Sequence, residues 1–249
     1  MERKATTAQR SGEMYFAQSQ DIQGRRFLLQ GDEARHCFRV MRNQIGDEIL
    51  LTDGEGREYR AQITKINQRS GVVEGEILEI KEGTRELKRE IYLAFAPIKS
   101  RDLNFMIEKA TELGVRGFIP IKTERQVANF QERRAQKVAI RGIKTALGSF
   151  LPKFFPPIPF SGLLSSVRDY SLALLAYERE EARYLKDIFA NANYGKRILL
   201  IIGPEGGFSP SEVEEARTSG ILTFSLGKRR LASGTAALCA LSLIIGYTQ

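Results

Sequence analysis

The chain has 249 residues, is 42% hydrophobic and carries a formal net charge of +8. We expect one or two packed domains, no membrane-spanning segment and, because the N-terminus has no apolar stretch, no secretory signal. Two distant cysteines and a single histidine argue against a disulfide framework and against a metal site, and they fit a reducing cytoplasm.

The excess positive charge lies in the middle third of the chain. Residues 81–160 hold 16 Lys and Arg against 8 Asp and Glu, whereas the net charge is −1 over residues 1–80 and +1 over residues 161–249. A concentrated basic surface is typical of proteins that bind nucleic acid, because phosphate contacts supply most of the sequence-independent affinity. The alternative is a solvated basic helix face without a partner.

Short strands are predicted over the first 80 residues. Strands at 48–52 and 59–66 flank the turn Asp53-Gly54-Glu55-Gly56, and residues 72–80 alternate apolar and polar side chains, which favours a half-buried strand. A single helical stretch is predicted at about Asp32–Met41. The pattern indicates a small β-barrel over residues 1–80, followed by a charged linker over residues 81–90.

From residue 91 onward, predicted strands alternate with predicted helices. The strands are 91–96, 117–121, 172–176, 198–202 and 221–225, and the helices are 103–113, 132–147, 211–219 and 234–246. Four prolines within residues 152–159 predict an extended loop there. Alternation of this kind predicts an α/β domain with a parallel sheet covered on both faces.

The most informative segment follows the buried strand predicted at 198–202. It reads Gly203-Pro204-Glu205-Gly206-Gly207-Phe208, and a helix is expected to begin after it with Ser209 as N-cap and Glu212 closing a capping box. Ligands of open α/β sheets bind at the carboxyl ends of strands, and glycines let the backbone approach a ligand closely. The segment therefore predicts a ligand site.

This loop does not match the common phosphate-binding motifs. It lacks the lysine of a Walker loop and the spacing of the dinucleotide fingerprint, and the carboxylate of Glu205 would repel a polyphosphate. The alternative to a ligand site is a tight turn in which the glycines are needed only for backbone geometry.

Further motifs are spread over nearly the full length of the chain. They are His36-Cys37-Phe38-Arg39-Val40-Met41-Arg42, Pro97-Ile98-Lys99, Ile107–Val115, Thr123-Glu124-Arg125, Ile202–Phe208, Leu226-Gly227, Leu231 and Thr235-Ala236. Together they resemble the ribosomal RNA small-subunit methyltransferase E family of the SPOUT superfamily.

The resemblance implies a fold and an activity. The fold would be α/β, with a SPOUT-type parallel sheet and a C-terminal trefoil knot over residues 91–249, preceded by a PUA-like, RNA-binding β-barrel over residues 1–80. The activity would be methylation of N3 of a uridine in 16S rRNA with S-adenosyl-L-methionine as the methyl donor. Members are usually homodimers with the site near the interface, so the apolar helix Ala236–Ile245 is expected to be buried in the knot and against a second subunit. Cys239 then reads as a small core residue.

The candidate cofactor residues come from loop geometry for Gly203 and otherwise from the resemblance. They are Ile202, Gly203, Pro204, Glu205, Gly206, Gly207, Ser225, Leu226, Gly227, Leu231, Thr235 and Ala236. The carboxylate of Glu205 would either face the sulfonium or cap the N–H groups of the loop, and the cap is preferred.

The candidate RNA contacts are basic residues that would hold phosphates rather than read bases. They are Arg39, Arg42, Lys99, Arg125 and Lys144. No general base can be named from the sequence, and His36 is predicted to be a packed or capping residue of the barrel. Changing it to alanine should alter RNA affinity rather than cofactor affinity.

The chain departs from the family pattern in two places. Ala232 stands where the family has a second arginine and Gly234 where it has a glutamate, and residues 144–150 lack the usual glutamine and arginine. Arg230 adds a charge nearby, with its side chain expected to point elsewhere. A retargeted or inactive relative that binds RNA and the cofactor is therefore the alternative. A cofactor-dependent enzyme of small molecules is disfavoured by the basic segment and the barrel.

Overall fold

The computed structural model describes residues 13–83, 85–125, 128–190 and 194–249, apart from the side chain of Ser100. The chain divides into two compact units. Unit 1 takes the described residues up to Glu86 together with Ile143–Leu151, and unit 2 takes Leu87–Gly142 and Pro152–Gln249.

Unit 1 is built on a six-stranded sheet with a short helix. Its strands are β1 (Met14–Phe16), β2 (Ile22–Gln23), β3 (Arg26–Gln30), β4 (Glu48–Thr52), β5 (Arg57–Asn67) and β6 (Val72–Glu82), and its helix is α1 (Gly31–Arg35). The strand order is β1-β4-β5-β6-β3-β2. All pairs are antiparallel except β1 with β4. The alternation in these strands sends one set of side chains into a single core that includes Tyr15, Phe27, Leu51 and Ile63.

The predicted hairpin and helical stretch of unit 1 are confirmed. β4 and β5 pair with Glu48 opposite Gln62. α1 continues directly into one π-helical turn, His36–Val40, which the sequence pattern did not reveal. The turn buries Cys37 and Phe38 and leaves Arg39 exposed.

Two segments are tied into unit 1 by partly buried carboxylates, those of Glu33 and Glu86. Glu33 accepts from the ammonium group of Lys144 at 2.6 Å, and both side chains are about four-fifths buried, with exposed fractions of 21% and 18%. Glu86 accepts from the backbone N–H and the hydroxyl of Ser149 at 2.7 and 2.8 Å. Part of the segment predicted as a linker is therefore hydrogen-bonded within unit 1.

Unit 2 is a parallel sheet with helices between its strands. Its strands are β7 (Glu90–Phe95), β8 (Gly117–Lys122), β9 (Lys153–Phe154), β10 (Ile158–Pro159), β11 (Leu172–Ala176), β12 (Arg197–Ile202) and β13 (Leu222–Phe224). Its helices are α2 (Ser100–Glu112), α3 (Glu132–Thr145, whose last residues belong to unit 1), α4 (Phe160–Ser165), α5 (Leu185–Phe189), α6 (Pro210–Thr218) and α7 (Ser233–Thr248).

The sheet of unit 2 has the order β10-β8-β7-β12-β11-β13, with β9 also paired to β8, and every pair is parallel. The predicted α/β class with a parallel sheet is thereby confirmed. β12 lies between β7 and β11, and its residues Ile198–Ile202 are buried, as expected of a central parallel strand.

Two local predictions for unit 2 were incomplete or wrong. The proline-rich segment 152–159, predicted as a loop, forms β9 and β10 at the edge of the sheet, where a missing N–H is tolerated. The short helices α4 and α5 were not predicted, because five or six residues carry too little periodicity to be recognised.

The C-terminal helix α7 buries only one face in the single chain. Ala237, Ala240 and Ile244 are fully buried, whereas Leu243 is 44% and Tyr247 47% exposed. Cys239 is exposed as well, so its assignment to the core is wrong for the single chain. Within the described residues, no helix has the length and apolar character needed to cross a membrane.

Candidate functional site

A glycine turn follows β12 at the carboxyl edge of the sheet. The N–H of Gly207 donates to the carbonyl of Pro204 at 2.9 Å, and Gly207 has a φ of 68°. A Cβ atom at Gly203 would lie 2.8 Å from the ring of Phe208, and one at Gly207 would overlap the carboxylate of Glu178. The loop therefore needs glycine at both positions and presents a wall of bare main chain.

The predicted capping box at the start of α6 is confirmed, and it does more than close the helix. The hydroxyl of Ser209 accepts from the N–H of Glu212 at 3.2 Å, and the Glu212 carboxylate accepts from the N–H of Ser209 at 2.8 Å. The same carboxylate accepts from the N–H of Glu124 at 3.0 Å. Glu212 is buried, so one carboxylate fixes the glycine loop and the loop after β8 to each other.

Two arginines hold the glycine loop from outside. Arg125 donates to the carbonyl of Gly206 at 2.9 Å, and Arg230 donates to the carbonyl of Glu205 at 3.2 Å. The expectation that Arg230 points elsewhere is wrong, because its guanidinium reaches this loop. Within the described residues the Glu205 carboxylate accepts no hydrogen bond from the loop, so the preferred capping role is not seen.

A cavity opens beside the glycine loop, and we call it the loop cavity. The carboxyl ends of three neighbouring strands, β11, β12 and β13, reach it. Eight of the candidate cofactor residues line it, namely Ile202, Gly203, Pro204, Gly207, Leu226, Gly227, Leu231 and Ala236. The wall combines apolar side chains with bare main chain and a few polar side chains, as is typical of a small-molecule site.

A second cavity shares part of this wall, and we call it the adjoining cavity. Its charged residues are Arg125, Glu178, Arg179, Glu205 and Arg230. Gly206 lines it too, so the candidates Glu205 and Gly206 lie here rather than in the loop cavity. Three guanidinium groups face two carboxylates, which favours an anionic or polar ligand.

Two candidate cofactor residues line neither cavity. Ser225 is buried, and its hydroxyl accepts from the N–H of Gly227 at 3.2 Å, so it shapes the turn after β13. Thr235 is exposed in the first turn of α7.

Sequence reasoning missed the residues that reach the loop cavity from elsewhere. They are Ala176, Tyr177 and Glu178 after β11, Phe208 in the glycine loop, and Arg229 and Ser233 before and at the start of α7. The strand at 172–176 was predicted, and ligands of parallel sheets bind at the carboxyl ends of strands, so this end could have indicated Ala176, Tyr177 and Glu178 as site residues. Its position beside β12 is a matter of strand order, which the sequence did not reveal.

The loop that carries Glu178 is anchored by its neighbour Glu180. The Glu180 carboxylate accepts from the hydroxyl of Thr223 at 2.5 Å, from Arg217 at 3.2 Å and from the N–H of Ala182 at 3.1 Å. The hydrogen bond from Thr223 is the main cause that lowers the pKa of Glu180 below its usual value of 4.5. The ionised carboxylate thus fixes the loop after β11 to β13 and α6.

The candidate RNA contacts lie in both units. In unit 1, Arg39 and Arg42 are exposed beside the π-helical turn, whereas Lys144 is paired with Glu33. In unit 2, Lys99 is exposed after β7, and Arg125 lies at the adjoining cavity. Further exposed cations on α3 are Arg133, Arg134, Lys137 and Arg141.

His36 is half-buried in unit 1, and its neighbour Cys37 is buried in the core of that unit. The Nε2 atom of His36 lies 2.6 Å from a carboxylate oxygen of Glu13, and burial raises the pKa of the Cys37 thiol. Among the residues that the structure describes, no group of three or more His, Cys, Asp or Glu could hold a metal ion.

Comparison with known proteins identifies the class. The family model of an RNA methyltransferase domain matches residues 85–245, and that of an RNA methyltransferase PUA domain matches residues 29–82. Ribosomal RNA small subunit methyltransferase E of Bacillus subtilis is 30% identical over 90% of this chain and 91% of its own length. The Synechocystis protein of the same name is 31% identical over 85% of this chain and 70% of its own length. The chain belongs to the ribosomal RNA small subunit methyltransferase E family, and the resemblance in the sequence motifs is confirmed.

Solved structures share the fold. A probable rRNA-methyltransferase from Porphyromonas gingivalis has a TM-score of 0.84 at 30% identity, covering 95% of this chain and 98% of that one. A ribosomal RNA small subunit methyltransferase E from Neisseria gonorrhoeae, bound to S-adenosyl methionine, has a TM-score of 0.82 at 26% identity, covering 93% and 96%. The trefoil knot stays a prediction.

Proposed function

We propose that this chain is an S-adenosylmethionine-dependent methyltransferase that modifies N3 of a uridine in 16S rRNA. The observation that carries the proposal is the loop cavity, lined by eight of the candidate cofactor residues at the carboxyl ends of β11, β12 and β13. Family membership supports it, as does the cofactor named for the Neisseria gonorrhoeae relative. An enzyme acting on ribosomal RNA would work in the cytoplasm.

The residues of the loop cavity fit an adenosine-containing cofactor. Ile202, Leu226 and Leu231 offer apolar surface to a purine, and the bare main chain of the glycine loop offers N–H and C=O groups to its edges. A Cβ atom at Gly203 would push into Phe208 and disturb this wall. Bound S-adenosylmethionine would supply an electrophilic methyl group.

The adjoining cavity suits the target uridine. It shares Pro204, Gly207 and Leu231 with the loop cavity, so a base bound in it would lie beside the cofactor. The N3 of uridine holds its proton at neutral pH. The guanidinium groups of Arg125, Arg179 and Arg230 would lower the pKa of that N–H by stabilising the anion.

The RNA backbone would be held by exposed cations. Arg39 and Arg42 in the PUA-like barrel, proposed to span residues 1–80, and Lys99 and Arg125 in the methyltransferase domain, proposed to span residues 91–249, are available for phosphate contacts. Lys144 was expected in this set, but its ammonium group already lies 2.6 Å from a carboxylate of Glu33. A contact from Lys144 to RNA would have to form beside that ion pair, with the N–H donors that Glu33 does not use.

We also propose that the protein is a homodimer formed through α7. The single chain exposes apolar side chains on two helices, namely Leu243 and Tyr247 on α7 and Phe105, which is 58% exposed, on α2. These side chains would be buried in the dimer. A second copy of the chain would complete the burial expected for this apolar helix, which the predicted knot would hold at the dimer interface.

The activity is tested with small ribosomal subunits that lack the modification. The purified protein is incubated with these subunits and methyl-labelled S-adenosylmethionine, and the labelled nucleotide is mapped by primer extension and mass spectrometry. We expect label at N3 of one uridine and none with subunits that already carry the modification. Label at another atom or another nucleotide would refute the assigned reaction.

A second candidate, a relative that binds RNA and cofactor without this activity, is favoured by one observation. Ala232, at the position of a family arginine, lines the adjoining cavity with a methyl group. Tight RNA binding together with no methyl transfer to either subunits or free rRNA would support this candidate.

A further inference from the structure

The loop cavity holds two opposite charges. Of its described lining residues, Glu178 and Arg229 are the only charged ones, and the others are small, apolar or uncharged. Within the described part of the chain, neither side chain forms an ion pair or hydrogen bond with the protein, and the two do not pair with each other. Both charges are therefore available to a ligand.

The Glu178 carboxylate has a defined position in this cavity. It lies against Gly207, since a Cβ atom there would overlap it. Its loop is held by Glu180, whose carboxylate accepts from Thr223 and Arg217. Glu178 is exposed in the single chain, and its carboxylate lies beside the glycine loop on a segment that Glu180 holds in place.

Glu178 also marks the junction of the two cavities, because it lines both. A methyl group passed from a ligand in the loop cavity to a base in the adjoining cavity must be presented at that junction. The amino-acid portion of S-adenosylmethionine is attached to the same sulfur as the methyl group. The adenosyl group is attached to that sulfur as well, so the character of the walls has to separate the two portions. The apolar wall of Ile202 and Leu226 suits the adenine, and the wall with Glu178 and Arg229 suits the charged amino-acid portion.

We propose that Glu178 binds the α-ammonium group of the cofactor's methionine portion and that Arg229 binds its α-carboxylate. This assignment rests on the proposed use of S-adenosylmethionine. A zwitterion needs one anion and one cation at its site, and the loop cavity offers one of each. A guanidinium group also matches a carboxylate in geometry, since it can donate two parallel hydrogen bonds.

The test compares three ligands by isothermal titration calorimetry on the full chain. S-adenosylmethionine carries the sulfonium and the amino acid, S-adenosylhomocysteine keeps the amino acid without the sulfonium charge, and methylthioadenosine lacks the amino acid. Glu178→Gln and Arg229→Gln are the test variants. Glu181→Gln and Lys228→Gln are matched controls, because these exposed neighbours do not line the loop cavity.

We expect each test variant to bind S-adenosylmethionine and S-adenosylhomocysteine about 10- to 100-fold more weakly, as for a lost charge-assisted hydrogen bond. The affinity for methylthioadenosine should stay within about twofold of the wild-type value, and the controls should bind all three ligands as the wild type does. Thermal unfolding of each variant shows that the fold is kept.

Three results would overturn the assignment while leaving the proposed cofactor in place. An equal loss for methylthioadenosine would place Glu178 at the ribose or in a structural role. A loss for S-adenosylmethionine alone would place it at the sulfonium. Unchanged binding of all three ligands in the variants would show that the two charges do not contact the cofactor. If the wild-type protein binds none of the three, the proposed function itself fails, and this assignment fails with it.

Discussion

The Glu212 carboxylate provides a sharp test of how the site is held together. It is buried and accepts from two backbone N–H groups, those of Ser209 and Glu124, at 2.8 and 3.0 Å. Glu212→Ala removes both hydrogen bonds and leaves two N–H donors without their carboxylate. Glu212→Gln keeps one acceptor oxygen and can satisfy one donor only.

The magnitude follows from these two bonds. A hydrogen bond to a charged group stabilises a protein by about 1.5–3 kcal/mol, and partial replacement by water reduces the loss. We therefore expect Glu212→Ala to lower the free energy of unfolding by roughly 2–4 kcal/mol and Glu212→Gln by about half as much. At about 2–4 °C per kcal/mol for a chain of this size, the alanine variant should melt roughly 5–15 °C below the wild type.

The assay combines calorimetric melting with binding of S-adenosylhomocysteine. Glu214→Ala is the matched control, since this residue is exposed on the same helix and should change stability by less than about 0.5 kcal/mol. The affinity of the alanine variant should also fall, because the glycine loop and the Arg125 loop lose their common anchor. Equal melting temperatures and equal affinities for Glu212→Ala and Glu214→Ala would refute the reasoning.

Three further predictions concern the glycine loop, the Glu180 anchor and the pair in unit 1. Gly207 and Gly220 have φ values of 68° and 88°, so changing either one to alanine should cost about 1–2 kcal/mol of stability. Only Gly207→Ala should also weaken S-adenosylhomocysteine binding, because no atom lies within 4 Å of the Cβ position of Gly220. Equal calorimetric affinities would contradict this. The lowered pKa of Glu180 means that its stabilisation is complete above pH 4.5 and is lost as the pH falls through its folded pKa, so Glu180→Gln should flatten the acid limb of the plot of melting temperature against pH. If the melting temperature of Glu180→Gln falls as steeply with acid as that of the wild type, the Glu180 carboxylate does not anchor this loop. Lys144→Gln and Glu33→Gln should each cost about 1–3 kcal/mol in urea unfolding, with a double variant that costs less than the sum, and should affect RNA binding alike. A loss of RNA affinity in Lys144→Gln alone would instead identify Lys144 as a phosphate contact.

The sequence determined the features that depend on near neighbours. The β-branched run before the glycine loop predicted β12, and Ser209, Pro210 and Glu212 predicted the start of α6, because capping depends on residues three positions apart. The alternation of strands and helices from residue 91 predicted the parallel sheet, because each element is recognised from its own local pattern. Eight residues that line the loop cavity were predicted from the sequence, Gly203 by loop geometry and the others by the resemblance to the family.

Only the tertiary structure decided which distant residues share the site. Strand order places the end of β11 beside β12 and so brings Glu178 to the glycine loop, a contact across about thirty residues that no local pattern encodes. The ion pair between Lys144 and Glu33 spans 111 residues and gives an expected RNA contact a partner within the protein. Periodicity and capping depend on backbone conformation within a few residues. Ion pairs and cavity walls depend instead on which distant parts of the chain come into contact in the folded protein.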